Sequence, residues 1–157
     1  MLGLIYVSNA TAAFSPQSLC ELASHADNRN RKMQITGFLY YEKQQFLQYI
    51  EGPEENVVGL MAKIERDQRH HVIKQLQQSD LIERRFPNWF MRWLREDEMI
   101  QLNMEHVIKD QINFMTSTGE ETDYLQDYIW GSVDRYVQLV KRLQTNTWQE
   151  FSNDTQS

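Results

Sequence analysis

The sequence predicts an α+β fold: a ferredoxin-like βαββαβ unit with one extra strand, two helices on one face of its sheet, and a C-terminal helical extension. Three observations predict it. Through residue 94, strand-like and helix-period runs follow the order strand, helix, strand, strand, helix, strand, strand. Residues 35–41 and 46–51 are rich in β-branched and aromatic side chains and are joined by the polar Glu42-Lys43-Gln44-Gln45, a β-hairpin pattern. After Arg95-Glu96-Asp97-Glu98 the apolar spacing becomes that of helices. The core of such a unit lies between the sheet and the helices packed on it.

Each element has a local cause. Residues 2–8 form a first strand in which Leu2, Leu4, Tyr6 and Ser8 share a face and Ile5 and Val7 lie opposite. Ser15-Pro16 starts a helix, with serine as N-cap and proline at the first helical position. Leu19, Leu22, Ala23 and Ala26 then recur at helical spacing, and the polar, basic Asn28-Arg29-Asn30-Arg31-Lys32 closes the helix. In that stretch Asn30 is readable as a C-cap. In the hairpin, Phe46, Gln48 and Ile50 share one face, so Gln48 stands between apolar neighbours on a core-facing side. A buried amide costs free energy unless its donor and acceptor are both used. Gln48 is therefore either an exposed or backbone-tied glutamine, or one whose partner is a ligand.

Gly52-Pro53-Glu54-Glu55 opens a second helix with Val57, Leu60, Met61 and Ile64 as its buried stripe, ending at Glu65-Arg66-Asp67. Residues 72–84 read as a long polar strand. Phe86-Pro87-Asn88 turns the chain into a fifth strand over 89–94, with Trp89, Met91 and Trp93 on one face. A helix over 99–114 follows, carrying Met99, Leu102, Val107 and Ile108. Thr122 or Asp123 then caps a long last helix with Leu125, Tyr128, Ile129, Ser132, Tyr136, Leu139, Val140 and Leu143 in register, and residues 151–157 are expected to fray. That apolar stripe needs cover from the sheet, the preceding helix or another subunit.

Composition narrows the function classes. The chain has 157 residues, of which 41% are hydrophobic, enough for one domain with a core plus an appendage. The net charge is −6, and residues 99–157 carry 9 acidic against 4 basic groups, which disfavours general nucleic-acid binding. The N-terminus lacks a signal-peptide pattern, no apolar run is long enough to span a membrane, and one cysteine, Cys20, allows no internal disulfide; a cytoplasmic location is expected. Adjacent His70 and His71 point apart on regular structure and make a poor metal site, so no metal is expected. Nucleotide-binding glycine loops, zinc motifs and nucleophile elbows are missing, and the paired acids read as helix starts or turns.

Five pieces, in order and at the right spacing, resemble the BLUF family, the bacterial blue-light sensors that use flavin. LIYVS places Tyr6 at the family's light-active tyrosine, and NRKMQITG places Asn30 at its flavin-binding asparagine. FLQYIEG places Gln48 at its switching glutamine, and KIERDQRHH matches the end of its second helix. NWFMRW puts Trp89 and Met91 at its tryptophan and methionine. The resemblance covers about residues 2–94.

The resemblance implies a flavin photosensor over residues 1–97 and an output or oligomerisation extension over 98–157. Leu22 and Ile64 would sandwich the flavin ring, Asn30 and Gln48 would meet its polar edge, and Arg29 would reach its carbonyls. Lys63, Arg69 and His70 would face the ribityl and phosphate end of FAD or FMN. Tyr6 and Gln48 would be photoactive, with Trp89 and Met91 relaying the signal. It further implies a receptor and not an enzyme, acting through a separate partner protein, as a homo-oligomer. A ferredoxin-like interaction module without flavin is the alternative. An acylphosphatase-like hydrolase is a third, but Ser8-Asn9-Ala10-Thr11 lacks the arginine and glycines of a phosphate loop.

Overall fold

The computed structural model describes residues 1–101, 105–117 and 123–154. The chain runs β1 (Leu2–Ala10), α1 (Pro16–Lys32), β2 (Thr36–Glu42), β3 (Gln45–Gly52), α2 (Glu54–Glu65), β4 (His70–Gln78) and β5 (Arg92–Leu94). It continues as α3 (Glu96–Gln101), α4 (Glu105–Ser117) and α5 (Asp123–Asp154). The five strands form one sheet in the order β4-β1-β3-β2-β5. β1 lies antiparallel between β3 and β4, β2 is antiparallel to β3, and β5 joins β2 in parallel. This is the expected ferredoxin-like order with one strand added at the β2 edge.

Local chemistry accounts for the element ends. Ser15 Oγ accepts the Ser18 amide at 3.1 Å, capping α1. Asn30 is not the C-cap: α1 runs on to Lys32 and Met33 ends it, leaving Asn30 fully buried in the last turn. The β2–β3 loop is the two residues Lys43 and Gln44, both left-handed (φ 49° and 59°), which matches the twist of the flanking strands.

Two strands are shorter than the sequence pattern predicts. β4 stops at Gln78 and not at residue 84, two residues before Asp80 turns left-handed at φ 61°. β5 has three residues and not six, because the backbone ahead of it is engaged elsewhere. The Gly37 amide donates to Trp89 O at 2.6 Å and Asn30 Nδ2 donates to Phe90 O at 2.8 Å. The helix expected over 99–114 is two helices. The first begins at Glu96, where Glu98 accepts the Arg95 amide at 3.2 Å and pairs with Arg92 at 2.9 Å. Leu102 and Thr122 lie outside the described residues. α5 continues through Asp154, beyond the expected start of fraying at residue 151.

The chain forms two compact units, Met1–Glu120 and Glu121–Ser157; in the first, α4 contacts β1 and β4, and α3 contacts α4. In the second unit, α5 carries Leu125, Ile129, Val133 and Tyr136 along one stripe, with Trp130 Nε1 donating to Gln126 at 2.7 Å one turn back.

Within the first unit, strand alternation divides the side chains. Leu4, Tyr6, Leu39, Phe46 and Ile50 share one face with Met91 and pack against Leu19 and Ala26 of α1 and Val57, Leu60 and Met61 of α2. Phe38, Tyr40, Leu47, Tyr49 and Glu51 point to the other face. There Lys109 of α4 pairs with Glu42 at 3.4 Å.

At Gly37, β3 leaves no room for a side chain: a Cβ at this position would stand 1.8 Å from Tyr49 O, with φ at 156°. Gly37→Ala must open the β2–β3 ladder. We expect it to cost on the order of 3 kcal/mol, read from urea unfolding; a midpoint equal to the wild type would contradict this close approach.

Candidate functional site

β1 and β3 pair with Tyr6 directly opposite Gln48, and β2 and β3 pair with Leu39 opposite Gln48. All three side chains point to the helix-covered face. They floor a cleft between α1 and the end of α2, which encloses about 510 Å³ of free space, part of it open to solvent. Leu22, Ala26 and Arg29 form the α1 wall; Ile64, Asp67, Arg69 and His70 form the other; Phe14 and Phe46 close one end.

A chain of buried hydrogen bonds runs along the floor. The Tyr6 hydroxyl donates to Gln48 Oε1, and Gln48 Nε2 donates to Met91 Sδ at 3.3 Å. Thus Gln48, only 5% exposed, uses both ends of its amide on protein groups. Beside it, Asn30 donates from Nδ2 to Phe90 O and accepts at Oδ1 from Arg29 Nε at 3.3 Å.

Electrostatics follow burial. Desolvation pushes the Tyr6 phenol well above its ordinary value, against a smaller opposing pull from the Arg29 guanidinium. Tyr6 is therefore a protonated donor at neutral pH. Burial also lowers the Arg29 guanidinium, which still stays charged. At the mouth, hydrogen bonds from the Arg69 side chain, 2.6 Å away at the closest, hold the Asp67 carboxyl down at about 2. Burial lowers the His70 imidazole below 6.5, so it is neutral at pH 7. Its Nδ1 is buried with no hydrogen-bond partner among the described residues.

These residues suit a flat heteroaromatic ligand with a polar edge and an anionic tail. Leu22, Ala26 and Ile64 offer apolar walls, Gln48 and Arg29 offer polar groups deep in the cleft, and Arg69 offers a cation at its rim. The unpaired His70 Nδ1 is a polar atom that such a ligand would satisfy.

Of the residues singled out from the sequence, Tyr6, Leu22, Arg29, Gln48, Ile64, Arg69 and His70 line the cleft, and Asn30 is tied to Arg29 behind it. Lys63 is exposed and is not among the lining residues. Trp89 and Met91 do not share a strand face, because both precede β5. Met91 is buried on Gln48, whereas the Trp89 ring stacks on Phe86 at 5.1 Å with the Arg92 guanidinium 4.8 Å from it. The sequence reading missed Phe14, Ala26, Leu39, Phe46 and Asp67 as lining residues. Phe46 and Leu39 were within reach, since hairpin alternation and register place both beside Gln48. Asp67 carries no such signal, because its pairing with Arg69 depends on the bend after α2.

The β subunit of the photoactivated adenylate cyclase of Euglena longa is 29% identical over 136 residues, which is 85% of this chain. The chain spans only 15% of that protein's length. A solved bacterial light-regulated adenylyl cyclase superposes with a TM-score of 0.60 at 30% identity, covering 70% of this chain and 34% of that one. The dark-state structure of BlrB, a BLUF protein, superposes with a TM-score of 0.64 over 89% of this chain and 96% of its own; at 24% identity this likeness concerns the fold. The family model described as sensors of blue light using FAD matches residues 1–92, and with its residues brought together as above the chain belongs to the BLUF family.

Proposed function

We propose that this chain is a blue-light receptor holding a flavin non-covalently in the cleft between α1 and α2, with Tyr6 and Gln48 as its switch. One observation carries the reading: the buried Tyr6–Gln48–Met91 hydrogen-bond chain on the floor of that cleft. FAD, the flavin of the family description, is favoured over FMN. Leu22 and Ile64 would hold the ring, Arg29, Asn30 and Gln48 its polar edge, and Arg69 and His70 its tail. Of the cations expected at the phosphate, Arg69 lines the cleft and Lys63 does not.

When bound, the flavin supplies the blue absorption and, once excited, a strong electron acceptor. What the protein supplies is a poised proton and a two-way amide. Tyr6 keeps its proton in the dark because burial disfavours the phenolate. Among the described residues the Tyr6 hydroxyl donates to Gln48 Oε1, so that atom is the one placed to take a proton that Tyr6 would release. In this structure Gln48 offers its oxygen to Tyr6 and its nitrogen to Met91. Rotation or tautomerisation of the amide changes which atom faces each partner. A net hydrogen bond is worth about 0.5–1.5 kcal/mol, so two such arrangements lie close in free energy, as a reversible switch requires.

We further propose that the signal leaves through Met91 and β5 towards the helices after residue 97, and reaches a separate partner protein in a cytoplasmic homo-oligomer. The support is continuity: Met91 directly precedes β5, and α3 begins two residues after β5 ends. Among the described residues no helix is long and apolar enough to cross a membrane.

The visible spectrum before and after blue light tests the reading: a flavin band that moves slightly red and recovers in darkness is expected. A protein that stays colourless after reconstitution would instead favour an interaction module. Gln48→Leu should keep the flavin, lose the red shift, and lose about 1–3 kcal/mol because the Tyr6 hydroxyl is left unpaired; a normal shift in this variant would remove Gln48 from the switch. Light scattering on a sizing column, in darkness and under illumination, checks the assembly, and a monomer in both states would refute the oligomer.

Acid should weaken the site in two phases. His70 is depressed, so its contribution is complete above about 6.5 and is lost as pH falls below that value. Asp67 is depressed to about 2, so its contribution persists to about pH 4 and is lost between there and 2. Urea midpoints should therefore begin to fall below pH 6.5, and His70→Gln should diminish that first phase; a flat profile from pH 7 to 5 would contradict the buried neutral imidazole.

A further inference from the structure

On the sheet face away from the cleft, Glu51 is fully buried and accepts four hydrogen bonds. Oε1 takes the Thr36 hydroxyl at 3.1 Å and the Phe86 amide at 2.7 Å. Oε2 takes the Tyr49 hydroxyl at 2.8 Å and the Arg85 amide at 3.0 Å. Arg84 closes the arrangement, reaching Thr36 Oγ1 at 3.1 Å, Glu51 O at 3.2 Å and Gln34 O at 2.6 Å. A carboxylate buried this completely is costly unless all its lone pairs are used, and an apolar side chain would fill the same space without that cost. What the carboxylate adds is direction. It fixes residues 84–86 of the β4–β5 connection against the ends of β2 and β3.

The same connection supplies the groups that face the cleft amides. Phe86 stacks on Trp89, Trp89 O accepts from Gly37, Phe90 O accepts from Asn30, and Met91 Sδ accepts from Gln48. Glu51 and Gln48 also lie on one strand, three residues apart and on opposite faces. We infer that Glu51 is a positioning residue for the light switch: through the amides of Arg85 and Phe86 it sets where the Phe90 carbonyl and the Met91 sulfur stand, and so which arrangement of Gln48 is favoured in darkness. The inference rests on the light-sensing reading above.

Glu51→Gln tests it with little change of volume. A carboxamide has one acceptor oxygen, so its NH2 group must face the Phe86 or the Arg85 amide, donor against donor. Three quantities are read on the full chain: flavin content, dark-recovery rate, and the Met91 methyl resonance of 13C-methyl-methionine protein, assigned with Met91→Leu. We expect flavin to remain, the Met91 resonance to move, and dark recovery to change at least about fivefold. Thr36→Val removes one donor to Glu51 together with one Arg84 contact and leaves Glu51 itself in place; it should move the same readouts in the same direction by about twofold, and it decides the matter if Glu51→Gln does not fold. Loss of thermal stability with an unmoved Met91 resonance and a wild-type recovery rate would make Glu51 a structural residue only and overturn the proposal. If the wild type shows no flavin or no red shift, the light-sensing reading fails, and the Met91 resonance alone still reports whether Glu51 positions the connection.

Discussion

The pairing of Tyr6 with Gln48 across β1 and β3 is the constraint on which the rest of the site depends. Directly opposed residues on neighbouring antiparallel strands have their Cβ atoms about 4.5–5.5 Å apart, so a phenol and an amide can meet there without distortion. A slip of one residue would send one of them to the other face. The ladder from Leu2–Gly52 to Asn9–Gln45 runs without interruption, while the irregularity in β1 pairing falls on the β4 side, between Val7 and Ser8. The β1–β3 register is thus regular along its length, and the bulge lies on the outer strand's side.

Around this pair, polar groups are buried in two different ways. Tyr6, Gln48, Asn30 and Glu51 are all buried, and each has protein partners. Their bonds are directional and fix one arrangement of the sheet and its connection. His70 is different: its Nδ1 is enclosed at the cleft without a partner among the described residues, and its environment keeps the ring neutral. Its ring lies beside Tyr6 and Phe46, with centroids 6.2 and 6.0 Å away, and lines the cleft.

The stretch between β4 and β5 does more than connect strands. A regular strand over 89–94 would have committed the Trp89 and Phe90 carbonyls to a ladder. Left irregular, it gives one carbonyl to Gly37, the next to Asn30, and then the Met91 sulfur to Gln48. Arg84 and Arg85 hold its other end to β2 and β3, Arg85 through Tyr49 Oη at 3.2 Å. One short segment therefore touches both faces of the sheet.

By itself the sequence determined the element order, the helix starts at Ser15-Pro16 and Gly52-Pro53, the hairpin and the face that Gln48 occupies. These follow from periodicity, capping and turn chemistry, which act over a few residues. It also singled out Tyr6, Asn30 and Gln48, through motifs at fixed spacing. Tertiary structure alone decided the lengths of β4 and β5, the separation of Met91 from Trp89, the cleft roles of Phe14 and Asp67, and the exclusion of Lys63 from the lining. Each depends on partners distant in the chain: Asn30 with Phe90, Gly37 with Trp89, Glu51 with Arg85 and Phe86. A strand-like pattern states which residues could extend; only the competing hydrogen bonds of the folded chain decide which of them do.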